Sequence, residues 1–195
     1  MYVALEGIDR AGKSTQIELL HQAFPHAVFT KEPGGTPLGQ EIRTMLLHSQ
    51  HPSPLAELFL FLADRNQHIN EVIKPNLSRL IISDRSFLSG IAYAKTKTNL
   101  SDEELFRLNE LALEGILPDK IILLELSANE LKRRFDSSDL DRIEKEGVEY
   151  LLQVQQNLKT ALFKSKIEYI IIDAAKPKEQ IFETIIQFLK DADGD

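Results

Sequence analysis

Apolar and polar positions fall into alternating blocks along this chain. Five short apolar runs read as strands: Val3-Ala4-Leu5, Ala27-Val28-Phe29, Leu80-Ile81-Ile82, Ile121-Ile122-Leu123-Leu124 and Tyr169-Ile170-Ile171-Ile172. Longer segments of helical periodicity lie between them, the first from Ser14 to Phe24. Strands that alternate with helices predict an α/β fold, a five-stranded parallel sheet flanked by helices on both faces. Ligands of such sheets gather beyond the carboxyl ends of the strands, so the polar residues that follow each run are where chemistry is expected.

The first run, read as Tyr2 to Leu5, is followed by Gly7-Ile8-Asp9-Arg10-Ala11-Gly12-Lys13-Ser14, two glycines five apart and then Lys and Ser. Strand, glycine loop and helix form the arrangement of a phosphate-binding loop. Its backbone N–H groups converge on nucleotide phosphates, its lysine reaches the β- and γ-phosphates, and its hydroxyl holds Mg²⁺. Arg10 would sit beside the γ-phosphate, where comparable arginines contribute about 10³–10⁵ in rate, or roughly 4–7 kcal/mol. Asp9 is harder to explain as structure. A carboxylate beside an anion nest needs a hydroxyl or a cation to meet.

The later strands end in similar polar clusters. Lys31-Glu32-Pro33-Gly34-Gly35-Thr36 forms a tight loop, and Arg43 on the next helix points either to solvent or into the cleft. The segment from Leu55 to Ile73 begins almost wholly apolar, so its first half is expected to be buried on most sides. Phe61 and Arg65 share a face there; the ring either stacks a nucleobase beside the guanidinium or is simply core. After the third strand, Asp84 is placed to hold Mg²⁺ or its waters, and Arg85 to grip a second phosphate. Asp84 or Ser86 can also cap the helix that carries Ser89, Gly90 and Tyr93. After the fourth strand, the basic helix end Lys132-Arg133-Arg134, the polar stretch Asp136 to Asp139 and Arg142 resemble a lid over a triphosphate; the alternative is a surface loop with ordinary ion pairs.

Composition narrows the partners. A chain of 195 residues, 43% hydrophobic, can bury its core as one domain over residues 1–195, with Asp191 to Asp195 as a frayed end. A formal charge of −7 argues against a broad nucleic-acid surface and favours small phosphorylated ligands met by local Arg and Lys clusters. With no cysteine, disulfides, thiol catalysis and thiolate metal sites are excluded. No basic-then-apolar leader precedes the phosphate loop, and no apolar run approaches a membrane span, so neither secretion nor membrane insertion is expected.

Together these pieces resemble the thymidylate kinases among the nucleoside monophosphate kinases, over nearly the whole chain. The marks are Leu5-Glu6-Gly7-Ile8-Asp9-Arg10-Ala11-Gly12-Lys13-Ser14-Thr15, Glu32-Pro33-Gly34-Gly35-Thr36, Phe61 with Arg65, Asp84-Arg85-Ser86, and Asp141-Arg142-Ile143-Glu144. The resemblance implies a fold of the P-loop NTPase type with a short lid at approximately 134–143, and transfer of the ATP γ-phosphate to dTMP with Mg²⁺. ATP would be bound by Gly7 to Thr15 (Gly7, Ile8, Asp9, Arg10, Ala11, Gly12, Lys13, Ser14 and Thr15) with Arg133 and Arg142 closing from the lid. Phe61 would stack on thymine and Arg65 bond its carbonyl edge. Arg43 and Arg85 would hold the acceptor phosphate, Asp9 would accept from the 3′-hydroxyl, and Tyr93 would crowd out a ribose. Arg10, Lys13 and Arg85 are the implied catalytic groups, and Ser14 and Asp84 the metal ligands. A cytoplasmic homodimer joined through apolar helix faces is also implied.

Two departures matter. Relatives with glycine in place of Arg10 tend to carry extra lid arginines, whereas Asp136-Ser137-Ser138-Asp139 is acidic, so Arg10 is expected to take over their task. Gly90 stands where some relatives place Asn against the base. The nearest rival is a related phosphate-loop kinase for another nucleotide or a deoxynucleoside. A GTPase switch is a rival of another class, but the Asn-Lys-x-Asp guanine signature is missing.

Overall fold

The computed structural model describes residues 1–48, 53–135 and 147–190. Its strands are β1 (Tyr2–Glu6), β2 (Val28–Lys31), β3 (Ile81–Asp84), β4 (Lys120–Glu125) and β5 (Glu168–Asp173). They form one sheet in the order β2-β3-β1-β4-β5, and every neighbouring pair is parallel. All five expected strands are present. β1 lies in the middle and buries all five of its residues, which is why its sequence runs apolar without alternation.

Each strand continues past its apolar run into polar residues. Glu6, Thr30 and Lys31, Ser83 and Asp84, Glu125 and Asp173 all belong to the ladder. Asp84 is in register with both Leu5 and Lys31, and Glu32 N–H donates to Asp84 O at 3.0 Å. The carboxyl ends of the three strands that carry the site are thereby bonded to one another.

The described helices are α1 (Lys13–Ala23), α2 (Pro37–His48), α3 (Pro54–His68), α4 (Phe87–Lys97), α5 (Asp102–Leu113), α6 (Ala128–Phe135), α7 (Val148–Ser165) and α8 (Lys178–Lys190). The chain leaves β1 toward the β2 edge and then crosses the sheet steadily to β5. Right-handed crossovers therefore put α1 on one face and α2 to α7 on the other. The packing agrees, with α1 against α8, and α4 against α3, α5 and α7.

Local chemistry explains the ends of the helices nearest the site. Ser53 and Pro54 start α3, the Ser53 hydroxyl accepting from Ala56 N–H at 3.3 Å. Beyond His68 the same segment continues as a π-helical turn, Ile69–Ile73, and a 3₁₀ turn, Lys74–Asn76. The start of α3 is not buried on most sides. Leu58 is buried, but Leu55 and Phe59 are exposed, because α3 lies on the outside of its layer and turns only one stripe inward. Ser86 caps α4 by accepting from Leu88 N–H. No described helix is long and apolar enough to cross a membrane.

Candidate active site

β1 delivers the chain into the loop from Gly7 to Gly12, at the point where the strand order reverses. Gly7 has φ 149°, and a Cβ there would lie 2.8 Å from Leu124 O on the neighbouring strand. The first glycine of the motif is thus fixed by close packing as well as by backbone conformation. Gly12 (φ 93°) turns the loop into α1, and Arg10 at the tip takes the left-handed φ of 67°.

Lys13 is buried, and Nζ donates to Gly7 O at 2.9 Å and Ile8 O at 3.1 Å. The lysine is therefore held across its own loop, above the space where phosphates are gripped. Burial, then the neighbouring Arg85 cation, pulls its pKa down to about 8 against the opposing pull of Asp84, Asp9 and Glu6. Ser14 lies beside it in the same cleft. Asp84 faces that cleft from the end of β3, and its Oδ1 is buried with no hydrogen-bond partner among the described residues. An orphaned carboxylate oxygen in the same cleft as a serine suits a hard, oxygen-seeking cation. Among the described residues no group of three or more His, Cys, Asp or Glu could hold a metal alone.

Arg85 follows directly, with φ 73°. Its guanidinium donates to Asp9 Oδ1 at 2.5 Å, to Gly7 O at 2.8 Å and to Ser89 Oγ at 3.1 Å, and lies over the Tyr93 ring. Asp9 Oδ2 accepts from Tyr93 Oη at 3.2 Å. Burial pushes the Asp9 carboxyl up, but Arg85 and Lys13 outweigh it and hold the group below its ordinary value, so it stays an anion. The unfavourable carboxylate in the anion nest is thus neutralised by Arg85.

A second chamber opens beside the phosphate cleft. Phe61, Leu46 and Leu47 give it an apolar wall, while Arg65, Gly90 and Tyr93 close it. Asp9, Glu32, Arg43 and Arg85 line both chambers. Arg43 therefore points into the cleft, with Nη1 donating to Pro33 O at 3.1 Å. Arg65 is only 2% exposed and is clamped on three sides. Nε donates to Glu32 Oε2 at 2.9 Å, Nη1 to Asn109 Oδ1 at 2.7 Å and Nη2 to Ser86 O at 3.4 Å. Glu32 Oε1 lies 2.9 Å from His68 Nδ1, and His68 Nε2 lies 2.6 Å from Thr30 Oγ1. Asp64, also buried, accepts from Gly34 N–H at 2.9 Å, and desolvation raises its pKa to about 6. α3 therefore carries Phe61 and Arg65, which line the second chamber, on the same turns that tie down the Glu32–Gly35 loop.

The thymidylate kinase family model matches residues 5–185, more than nine-tenths of the chain and every residue of the two chambers. The chain belongs to the thymidylate kinase family. Thymidylate kinases of Aliarcobacter butzleri and Campylobacter jejuni are 51% and 50% identical to it, over 97% of this chain and 98% and 100% of theirs. The crystal structure of thymidylate kinase from Ehrlichia chaffeensis superposes with a TM-score of 0.78 at 26% identity, covering 97% of this chain and 98% of that one.

In this thymidylate kinase family member, the structure brings Asp9, Arg10, Gly12, Lys13, Ser14, Arg43, Asp84 and Arg85 to the phosphate cleft, and Phe61, Arg65 and Tyr93 to the chamber beside it. Arg133 is not brought there. Its side chain is 73% exposed and paired with Glu130 at 2.8 Å on the outer face of α6. Its neighbour Arg134 faces the phosphate loop instead. Arg142 and most of the proposed lid lie outside the described residues.

Several site residues escaped sequence reasoning. Glu6, fully buried, accepts from Ser86 N–H (2.8 Å), Ser86 Oγ (2.7 Å) and Ser89 Oγ (2.5 Å), and so anchors the start of α4 to the phosphate-loop strand. Burial raises its pKa despite those bonds. A charged residue closing an apolar run was the available signal. Asn109 gave none, because its role depends on α5 packing against α3.

Proposed function

We propose that the chain transfers the γ-phosphoryl group of ATP to dTMP, giving dTDP and ADP. Family membership supports the reaction. The observation that carries the assignment of roles is the pair of chambers sharing Asp9, Glu32, Arg43 and Arg85: one is polar and built on the phosphate loop, the other walled by Phe61, Leu46 and Leu47. A donor triphosphate over Lys13 and an acceptor whose base lies against Phe61 would meet at the arginines between them.

In this reading the loop N–H groups and Lys13 grip the donor phosphates, and Arg43 and Arg85 hold the acceptor phosphate in line. Arg10 and Lys13 stabilise the charge of the moving group. No side chain need act as a base, because the acceptor phosphate is already an anionic nucleophile; catalysis is alignment and electrostatics. Ser14 and Asp84 would hold Mg²⁺, which when bound neutralises charge on the β- and γ-phosphates. Arg65 has only donors to offer, so it suits a base edge that presents a carbonyl and disfavours one that presents an amino group. Tyr93 beneath the sugar would crowd a 2′-hydroxyl. A cytoplasmic setting belongs to the same proposal, since a chain with no cysteine makes no use of an oxidising compartment.

ADP release measured across dTMP, dUMP, dCMP, dGMP and thymidine tests the assignment. Turnover should be greatest with dTMP and detectable with dUMP, because one methyl group in an apolar pocket is worth only about 1–3 kcal/mol. Phe61→Ala should raise KM for dTMP far more than KM for ATP. A preference for another monophosphate, or equal effects on both KM values, would reassign the chamber.

A further inference from the structure

Arg10 and Arg134 hold each other. Arg10 Nη1 donates to Arg134 O at 2.5 Å, and Arg134 Nη1 donates back to Arg10 O at 2.8 Å. Arg134 Nη2 reaches on to Ala174 O at 2.7 Å, in the turn after β5, while Nε is taken by Glu130 Oε1 at 2.7 Å. The Arg10 guanidinium lies over the Phe135 ring, 4.9 Å from its centre. One planar fork thus joins α6, the tip of the phosphate loop and the β5–α8 turn, which lysine could not do because it lacks the fork.

The backbone at Arg10 is left-handed, and Arg134 meets its carbonyl. In return Arg134 presents its own carbonyl, near the C-terminal end of α6, as the anchor for the Arg10 head group. Arg10 lines the phosphate cleft, and the bond to Arg134 O moors its guanidinium to the neighbouring helix. A cation held in place before the phosphate arrives stabilises developing charge better than one that must first be ordered. Glu130 pairs with the Arg134 charge, and its carboxyl is held down at about 2 by Arg133 and then Arg134.

We propose that Arg134 is a positioning residue for phosphoryl transfer, acting through Arg10 by this reciprocal main-chain clasp. The inference rests on the phosphotransfer reading given above.

A kinetic double-mutant cycle on the full chain tests it, with wild type, Arg10→Gly, Arg134→Ala and the double variant assayed for dTMP turnover. Arg134→Ala should lower kcat at least tenfold and leave KM for dTMP within twofold. In the Arg10→Gly background the same change should cost less than twofold, since the group it positions is gone. If Arg134→Ala melts early, Arg134→Lys serves, because it keeps the charge but lacks the planar fork that meets Glu130, Arg10 O and Ala174 O together; it should show an intermediate loss that also vanishes without Arg10. Multiplying losses, or an Arg134→Ala or Arg10→Gly enzyme with normal kcat, would overturn the proposal while leaving dTMP phosphorylation standing. A wild-type protein inactive on dTMP would instead remove the functional reading itself.

Discussion

Lys13 carries its charge at a cost in the nucleotide-free protein. Buried beside Arg85 and bonded only to carbonyls of its own loop, it titrates at about 8. In the unfolded chain it would titrate at 10.5, so between those values the folded state binds fewer protons than the unfolded one. On this account alone, stability rises with pH through that window and the full penalty is felt below it. A triphosphate over Nζ favours the charged form and must raise the pKa again. ATP binding should therefore take up a proton, about a tenth of one at pH 7 and about three quarters at pH 8.5, and affinity should weaken above pH 8. Calorimetric titrations in buffers of different ionisation enthalpy read the uptake directly. Proton release, or none at pH 8.5, would place the phosphates away from Lys13.

The elements around the base chamber are shaped by one absent side chain. Gly90 lies within α4, where alanine would ordinarily gain about 1 kcal/mol of helix propensity. A Cβ there would stand 2.8 Å from Arg65 Nη2 and 3.1 Å from Nη1. Arg65 cannot simply swing away, because Glu32 and Asn109 hold it. Gly90→Ala should thus raise KM for dTMP about tenfold, with KM for ATP unchanged, and lower thermal stability despite the better helix propensity, because the Arg65 contacts must give; unaltered dTMP kinetics would show that the guanidinium does not read the base. Such coupling between elements marks the limit of the sequence. Period and composition disclosed five strands and the helices between them, and the glycine spacing placed the phosphate loop. They missed the polar ends of the strands, because an apolar run stops where side chains change, whereas the hydrogen-bonded ladder does not. Phe61 and Arg65 were visible as a pair four residues apart. The Glu32–His68–Thr30 anchor and Asn109 were not, since their partners lie dozens of residues away and meet only when α3 and α5 pack on the sheet. Which of Arg133 and Arg134 faces the phosphate loop was not legible for a similar reason: adjacent arginines at a helix end differ only in which face the helix turns inward.

At the scale of the whole molecule, the apolar start of α3 belongs to an exposed apolar surface on the α2–α3 layer. Leu38 and Met45, seven apart on α2, are 45% and 49% exposed, and Leu55 and Phe59, four apart on α3, are 47% and 55% exposed. Each pair makes a stripe along its helix, and the two helices pack against each other. Apolar stripes on neighbouring helices suit burial against a second copy of the same face, because a two-fold axis sets a patch against its own copy and uncharged apolar side chains do not repel their like. We propose this face as the homodimer interface. It lies on the helices whose inner sides hold Arg43, Phe61 and Arg65, so pairing would stiffen the acceptor chamber from behind. Sedimentation velocity should find a dimer at micromolar concentration, and Phe59→Asp should give a monomer, since pairing would bury two uncompensated carboxylates. That monomer should remain folded, because Phe59 is more than half exposed, but with KM for dTMP raised more than KM for ATP. A wild-type monomer, or a Phe59→Asp dimer of unchanged affinity, would assign the stripes to some other contact.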